Sequence, residues 1–189
     1  TQDARITSNL PTAKKLILFV SAKITDKRKG IDYFIESCNI LAQKHPELIE
    51  KWGVVVYGKY SEQLKSQVPF PVYPLNYISN EKELIDVYNA VDIFVTPSLE
   101  ENLPNTIMEA MACGIPCVGF NVGGIPEMID HLHNGYVADY QSSEDFANGI
   151  HWTLSESEYQ SLSEEARRKA SSSYSENAIA KRYIDVYNK

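Results

Sequence analysis

The stretch VDIFVTPSLEENLPNTIMEAMACGIPCVGF, residues 91–120, decides the fold. Val91-Asp92-Ile93-Phe94-Val95-Thr96 is dominated by β-branched and aromatic residues and reads as a strand. Pro97 and Ser98 end it, and Asn102-Leu103-Pro104-Asn105 leads into a segment whose Ile107, Met108 and Met111 recur at helical spacing. Gly114 fits the left-handed C′ position that closes a helix, with Pro116 behind it as a stop. Ile115–Phe120 then returns to strand. A strand, a crossover helix and a second strand make a unit that pairs in parallel.

The same unit repeats on either side. Lys15-Leu16-Ile17-Leu18-Phe19-Val20 is a continuous apolar run, the kind buried on both faces. Ile31, Phe34, Ile35, Cys38 and Leu41 then recur at helical spacing up to Pro46. Gly53–Gly58 is expected to be a strand, 61–67 a short helix, Val72–Leu75 a strand and Glu83–Ala90 a helix. Pro126 suits position N1 of a further helix. From Ser142 strands stop, and three helices follow, Ser143–Leu154, Ser157–Ser171 and Ser175–Asn188, each with serine as its expected N-cap. Alternation at this spacing predicts an α/β fold, a Rossmann-like, doubly wound parallel sheet with C-terminal helices. Residues 1–189 form one domain in this reading, with 1–14 a linker or edge segment.

Composition excludes several classes. A chain of 189 residues, 43% hydrophobic, suits a single core. The net charge of −7 argues against a nucleic-acid binder, which would carry a basic face. No run of about 18 apolar residues, the length a membrane span needs, occurs. The chain opens on Thr1, which raises the expectation of a piece of a longer protein. Cys38, Cys113 and Cys117 lie in apolar runs and read as core thiols of a cytoplasmic protein, not as a disulfide framework or a metal site. His131 and His133 read as surface residues flanking an Asn134-Gly135 turn.

Ligands of open α/β sheets sit at the carboxyl ends of the strands, so the chemistry is expected in the loops there. Three stand out. Lys27-Arg28-Lys29 stands just before a helix that opens at Gly30 or Ile31, which suits an anion or simply a solvated turn. In the second, Glu101 lies in the loop and Glu109 on a helix face away from the apolar stripe. Both could be solvated acids, or could accept hydrogen bonds from hydroxyls. The third, Asn121-Val122-Gly123-Gly124-Ile125-Pro126-Glu127, permits positive φ or a close backbone approach, structural or to a ligand.

The residues PSLEENLPNTIMEAMACGIPCVGFNVGGIPEMI resemble the donor-binding signature of the family-4 retaining glycosyltransferases, glycosyl transferases group 1, of the GT-B fold. That signature runs P-S-x-x-E-G, then E-A-M-A-x-G-x-P-V-V and a Gly-Gly-x-x-E turn. The resemblance extends from the strand and loop at 16–30 to Asn134-Gly135-Tyr136, and corresponds to the C-terminal half of the two-domain fold.

By position, the resemblance implies that Glu109 accepts hydrogen bonds from the donor's ribose and Glu101 from the transferred sugar. It implies backbone N–H groups of Asn102 and Leu103 near the sugar, and of Asn105, Thr106 and Ile107 near the diphosphate. Tyr77 and Ile78 would border the base. Lys29, with Gly30, matches the family's Lys-Gly, making Lys29 a phosphate ligand that shares the catalytic role with Glu101. The second phosphate cation is Lys23 or Arg28, since Lys23 stands six residues before Lys29 where the family has five. Ser21 also replaces the usual glycine.

The function so implied is donor binding by a retaining glycosyltransferase. A nucleoside diphosphate sugar is the donor, and a growing polysaccharide or glycolipid the acceptor. Cations take the place of a metal, so neither a metal nor a cofactor is implied. Acceptor residues belong to an N-terminal domain, without which this part is expected to be inactive in transfer. Peripheral attachment of the full-length enzyme to the inner face of the membrane is compatible with this. The alternatives are a sugar-nucleotide epimerase of the same fold, against which EAMACG weighs, and a non-catalytic nucleotide-binding module.

Overall fold

The computed structural model describes residues 1–75 and 80–188. Six strands form one parallel sheet: β1 (Lys15–Lys23), β2 (Trp52–Lys59), β3 (Val72–Leu75), β4 (Ile93–Thr96), β5 (Cys117–Phe120) and β6 (Gly135–Ala138). Their spatial order is β3-β2-β1-β4-β5-β6, with Leu18 of β1 opposite Val55 on one side and Phe94 on the other. The chain winds outward from β1 to β3, crosses back, and winds out again from β4. The direction therefore switches between β1 and β4, which opens a crevice at their carboxyl ends.

Around the sheet lie α1 (Gln2–Thr7), α2 (Ile31–Lys44), α3 (Leu48–Lys51), α4 (Glu81–Ala90), α5 (Asn105–Ala112), α6 (Ile125–Met128), α7 (Ser143–His151), α8 (Tyr159–Tyr174) and α9 (Glu176–Tyr187). Successive side chains of a strand point to opposite faces, and the burial follows that rule. Ile17, Phe19, Val54, Val56, Val118 and Phe120 pack under α2 and α7 with Phe34, Cys38, Leu41, Phe146 and Ile150. Leu16, Leu18, Val55, Phe94 and Cys117 pack on the other side with Val87, Tyr88, Ile107, Ala110 and Met111. Burial on both faces is why β1 and β2 are apolar without alternation.

The doubly wound parallel sheet agrees with the sequence reading; several local expectations are corrected. Gly135–Ala138, read only as the far side of a turn, is the edge strand β6, hydrogen-bonded to β5. Pro126 is the second residue of α6, since Ile125 already follows the N-cap Gly124. Ser142 and Ser175 cap their helices, but α8 has Glu158 as its N-cap, without a side-chain hydrogen bond, and the Ser157 hydroxyl donates instead to Thr153 O at 2.9 Å. The α-helix expected to reach Leu154 gives way at Trp152 to a π-helical turn, Trp152–Glu156. Gly114 does close α5, with Gly114 N–H on Met111 O at 2.8 Å and Ile115 N–H on Ala110 O at 2.9 Å, a Schellman pattern.

Residues 1–14 contain α1, which packs on α4; Ala4 of α1 and Leu10 just beyond it join the core on that side. Arg5 fixes this segment: its guanidinium donates to Ala90 O at 2.7 Å, to Lys14 O at 2.8 Å and to the Asp92 carboxylate at 2.7 Å. Asp92 also accepts Leu16 N–H at 2.6 Å at the start of β1. Asp92→Ala removes a mostly buried charge partner and an acceptor together. It is expected to destabilise the fold by about 3 kcal/mol, read as a lower urea midpoint at unchanged slope.

α9 buries none of its residues, and Tyr183, Ile184, Val186 and Tyr187 are exposed. Helices owe most of their stability to a packed face, and this one lacks it. Amides of Glu176–Tyr187 are therefore expected to exchange with deuterium orders of magnitude faster than those of β1, in a time-resolved exchange measurement.

Candidate functional site

Three loops meet over the crevice between β1 and β4. After β1, Lys27–Lys29 forms one 3₁₀ turn capped by Asp26, whose carboxylate accepts Arg28 N–H at 3.1 Å. Gly30 follows at φ 70°, where a Cβ would stand 1.7 Å from Pro97 O. Leu99 N–H donates to Arg28 O at 2.8 Å. The loops after β1 and β4 thus touch backbone to backbone. From the other side Gly124 N–H donates to Asn102 O at 2.7 Å, and Gly123 sits at φ 55° with no room for a Cβ beside Glu101 O. The paired glycines bring the backbone close to a second loop.

Within this frame the ammonium of Lys29 pairs with Glu101 Oε1. The same oxygen accepts the buried Ser98 hydroxyl at 3.0 Å, and that hydroxyl lies 3.2 Å from Thr96 Oγ1 at the end of β4. A cavity of about 430 Å³ opens here, lined by Arg28, Lys29, Glu100, Glu101 and Asn102. Arg28 is turned onto Asp26 through contacts of 2.9 and 3.2 Å. The Arg28 hydrogen bonds hold the Asp26 carboxyl below its usual range, and Asp26 raises Arg28 in turn. Lys23, exposed at the end of β1 opposite Lys59, does not line the cavity.

α5 begins beside these groups with its backbone open. Its N-cap is Pro104, which has no side-chain acceptor, and its first turn carries no acid. The N–H groups of Asn102, Leu103, Asn105 and Thr106 have no hydrogen bond among the described residues. That of Ile107 is engaged by Pro104 O at 3.0 Å. Free N–H groups and the helix dipole favour an anion here. Glu109 lies four residues on, about 6 Å along the axis, on the exposed side of α5. Its Oε2 accepts the Tyr88 hydroxyl at 2.8 Å.

The structure therefore brings Arg28, Lys29, Glu101 and Asn102 to one cavity. Leu103, Asn105 and Thr106 follow in the same loop and first turn of α5 without lining it, and Glu109, one turn farther along α5, lines a separate groove with Met108, Arg167 and Tyr174. Tyr77 and Ile78 lie outside the described residues. The sequence reading missed Ser98, which holds Glu101, and Glu100 in the cavity wall. It also missed Tyr140, whose hydroxyl donates to Leu99 O at 3.2 Å. Ser98 had a signal: a hydroxyl in a buried strand end three residues before an acid. Tyr140 had none.

The remaining candidates are structural. His131 Nδ1 accepts Val137 N–H at 3.1 Å and its ring packs edge-on against Tyr136, while His133 is exposed. Cys38 and Cys117 are buried and Cys113 half-buried, and burial pushes all three thiols up. No group of three His, Cys, Asp or Glu side chains is arranged for a metal among the described residues.

The sheet order and the crevice define the chain as a Rossmann-like α/β domain of the GT-B type. It belongs to the glycosyl transferases group 1, whose family model matches residues 14–156. A Campylobacter jejuni relative, N,N'-diacetylbacillosaminyl-diphospho-undecaprenol alpha-1,3-N-acetylgalactosaminyltransferase, is 28% identical over 183 residues, covering 96% of this chain and 46% of the relative. The C-terminal domain of a group 1 glycosyl transferase (LpcC) from Francisella tularensis superposes with a TM-score of 0.75 at 22% identity, covering 93% of each chain. Anabaena Alr3699/HepE, solved with UDP-glucose, superposes with a TM-score of 0.77 at 20% identity, covering 99% of this chain and 52% of that one. The chain spans about half the length of the curated relatives it matches.

Gly123→Ala would set a Cβ against Glu101 O in a backbone region that L residues rarely adopt. It is expected to cost about 2–4 kcal/mol of stability and to loosen the Glu101 loop, read by thermal melting and by faster amide exchange at residues 99–103.

Proposed function

We propose that this chain is the donor-binding half of a retaining glycosyltransferase that takes a nucleoside diphosphate sugar. The observation that carries the proposal is the meeting of Lys29, Glu101 and the open start of α5 at the β1/β4 switch point. A cation with open N–H groups suits an anion there, and a carboxylate suits a hydroxyl-rich group. The diphosphate takes Lys29 and the N–H groups of Asn105 and Thr106. The sugar takes Glu101 and the N–H groups of Asn102 and Leu103, and the ribose takes Glu109.

The chemistry follows from where charge develops. The bond between the anomeric carbon and the diphosphate oxygen breaks, and its electron pair goes to that oxygen. The anomeric carbon gains oxocarbenium character. An acceptor hydroxyl then adds to it and gives up its proton. Attack on the face from which the diphosphate leaves preserves the anomeric configuration. Stabilising the leaving diphosphate is the main electrostatic task, met by a fixed cation and preorganised N–H groups. Lys29 exchanges Glu101 for the more highly charged diphosphate on binding. Glu101, still held by Ser98, is thereby freed to accept from sugar hydroxyls.

The chain spans about half the length of its curated relatives, so acceptor binding is assigned to an N-terminal domain, and the chain alone is expected to bind donor with little or no transfer. The Campylobacter relative's name specifies a diphospho-undecaprenol-linked sugar. That supports a lipid-linked glycan or growing polysaccharide as acceptor class, and peripheral membrane attachment of the whole enzyme. No described helix is long and apolar enough to cross a membrane.

Calorimetry with UDP-, GDP- and ADP-sugars tests the proposal, with UDP-sugars first because of the Anabaena complex. At least one is expected to bind; a folded sample that binds none overturns the reading. Lys29→Ala is expected to weaken the bound nucleoside diphosphate by about tenfold or more and to leave the phosphate-free nucleoside unaffected.

A further inference from the structure

Tyr88 stands in the last turn of α4, 1% exposed, its ring edge-on to Phe94 at 6.3 Å between centroids. Packing alone would be met by phenylalanine. A hydroxyl in this setting needs a partner, and its partner is Glu109 Oε2 at 2.8 Å. Burial, and after it the charge of Glu109, pushes the phenol far up, so the hydroxyl remains a donor. Glu109 Oε1 has no partner among the described residues. A glutamate on the open face of a helix otherwise samples several rotamers, which any ligand would have to freeze.

We infer that Tyr88 is a positioning residue for the donor's ribose: its buried hydroxyl fixes the Glu109 carboxylate before the nucleotide arrives, leaving Oε1 unpartnered to accept from the ribose hydroxyls. The inference rests on the donor-binding reading. It assigns a role to a core residue that touches no ligand and lies 21 positions from the acid it orients. The gain is preorganisation: the rotamer entropy of Glu109 is lost on folding and not again on binding. The phenol and the ribose hydroxyls are all donors, so one carboxylate serves them through different oxygens without competition.

The test compares ribose with no ribose hydroxyls. Wild type, Tyr88→Phe and Glu109→Ala are titrated by calorimetry with UDP, GDP and ADP and with their 2′,3′-dideoxy forms. Tyr88→Phe keeps the ring, and it strands no buried polar atom because the exposed Glu109 carboxylate reaches water. For the nucleotide that binds, Tyr88→Phe is expected to weaken the ribose form by about five- to tenfold and to leave the dideoxy form unchanged. Glu109→Ala is expected to weaken the ribose form at least as much. Equal losses for both forms in Tyr88→Phe would reduce Tyr88 to a packing residue and overturn the inference. So would an unchanged Tyr88→Phe beside a weakened Glu109→Ala. Unchanged ribose affinity in both variants would remove Glu109 from the ribose site and the inference with it. Failure of wild type to bind any nucleotide overturns the donor reading itself.

Discussion

The hydrogen bond from Leu99 N–H to Arg28 O, 2.8 Å long, ties together the two loops that diverge at the topological switch. It forms because Gly30 has no side chain: a Cβ there would overlap Pro97 O, and the loop after β1 would have to lift away from β4. Lys29 lies between the two contacts, so backbone geometry sets its Cα beside the loop after β4 and its side chain has only the remaining span to Glu101 to cover. Gly123 and Gly124 do the same work from the β5 side, where they press against Glu101 and Asn102. The crevice is thus built from four backbone contacts at the rim of a rigid sheet. Its polar side chains inherit their positions from these contacts.

Two of the ion pairs at the rim differ in kind. Arg28 and Asp26 lie two residues apart in one turn, cap it and satisfy each other locally. Lys29 and Glu101 join two loops across 72 residues. A partner in the same turn moves with its cation, whereas a partner on another loop can be exchanged for a ligand without unmaking the turn. On the donor-binding reading this favours Lys29 over Arg28 as the phosphate cation, and it gives Asp26 a reason to be there. It holds the second positive charge beside the first without letting them share one anion.

Much of this was legible in the sequence, for physical reasons that also mark the limit. Strands buried on both faces advertise themselves as apolar runs, as at Leu16–Val20 and Val54–Val56, and helices with one buried stripe do so by period, as at Ile31–Leu41. The edge strand β6 was missed because Gly135-Tyr136-Val137-Ala138 is short, follows an Asn-Gly pair that looks like a turn, and is buried on only part of its surface. The acids Glu101 and Glu109 stood out because a carboxylate is costly in an apolar passage. The hydroxyls that hold them stood out less, because serine after proline and tyrosine on the buried stripe of an amphipathic helix are ordinary. The rejected expectation for Ser157 has the same origin: a hydroxyl before a helix suits an N-cap until an upstream π-helical turn takes it for Thr153 O.

The two acids differ in what holds them, and on the donor-binding reading the difference orders the events of binding. Glu101 is held by a cation and by Ser98, so its surroundings change when an anion draws Lys29 away. Glu109 is held by a neutral phenol rooted in the core, whose burial keeps a nucleotide's own acceptors away from it. One acid therefore has a geometry set before the ligand arrives, and the other acquires its final environment only in the ligand's presence. If the donor docks as proposed, its nucleoside end finds a finished surface and its sugar end completes one. A sugar hydroxyl then meets a carboxylate released by the same diphosphate to which that sugar is attached. Such a site answers to the intact donor more than to a free sugar, because only the donor carries both the anion that releases Glu101 and the hydroxyls that use it.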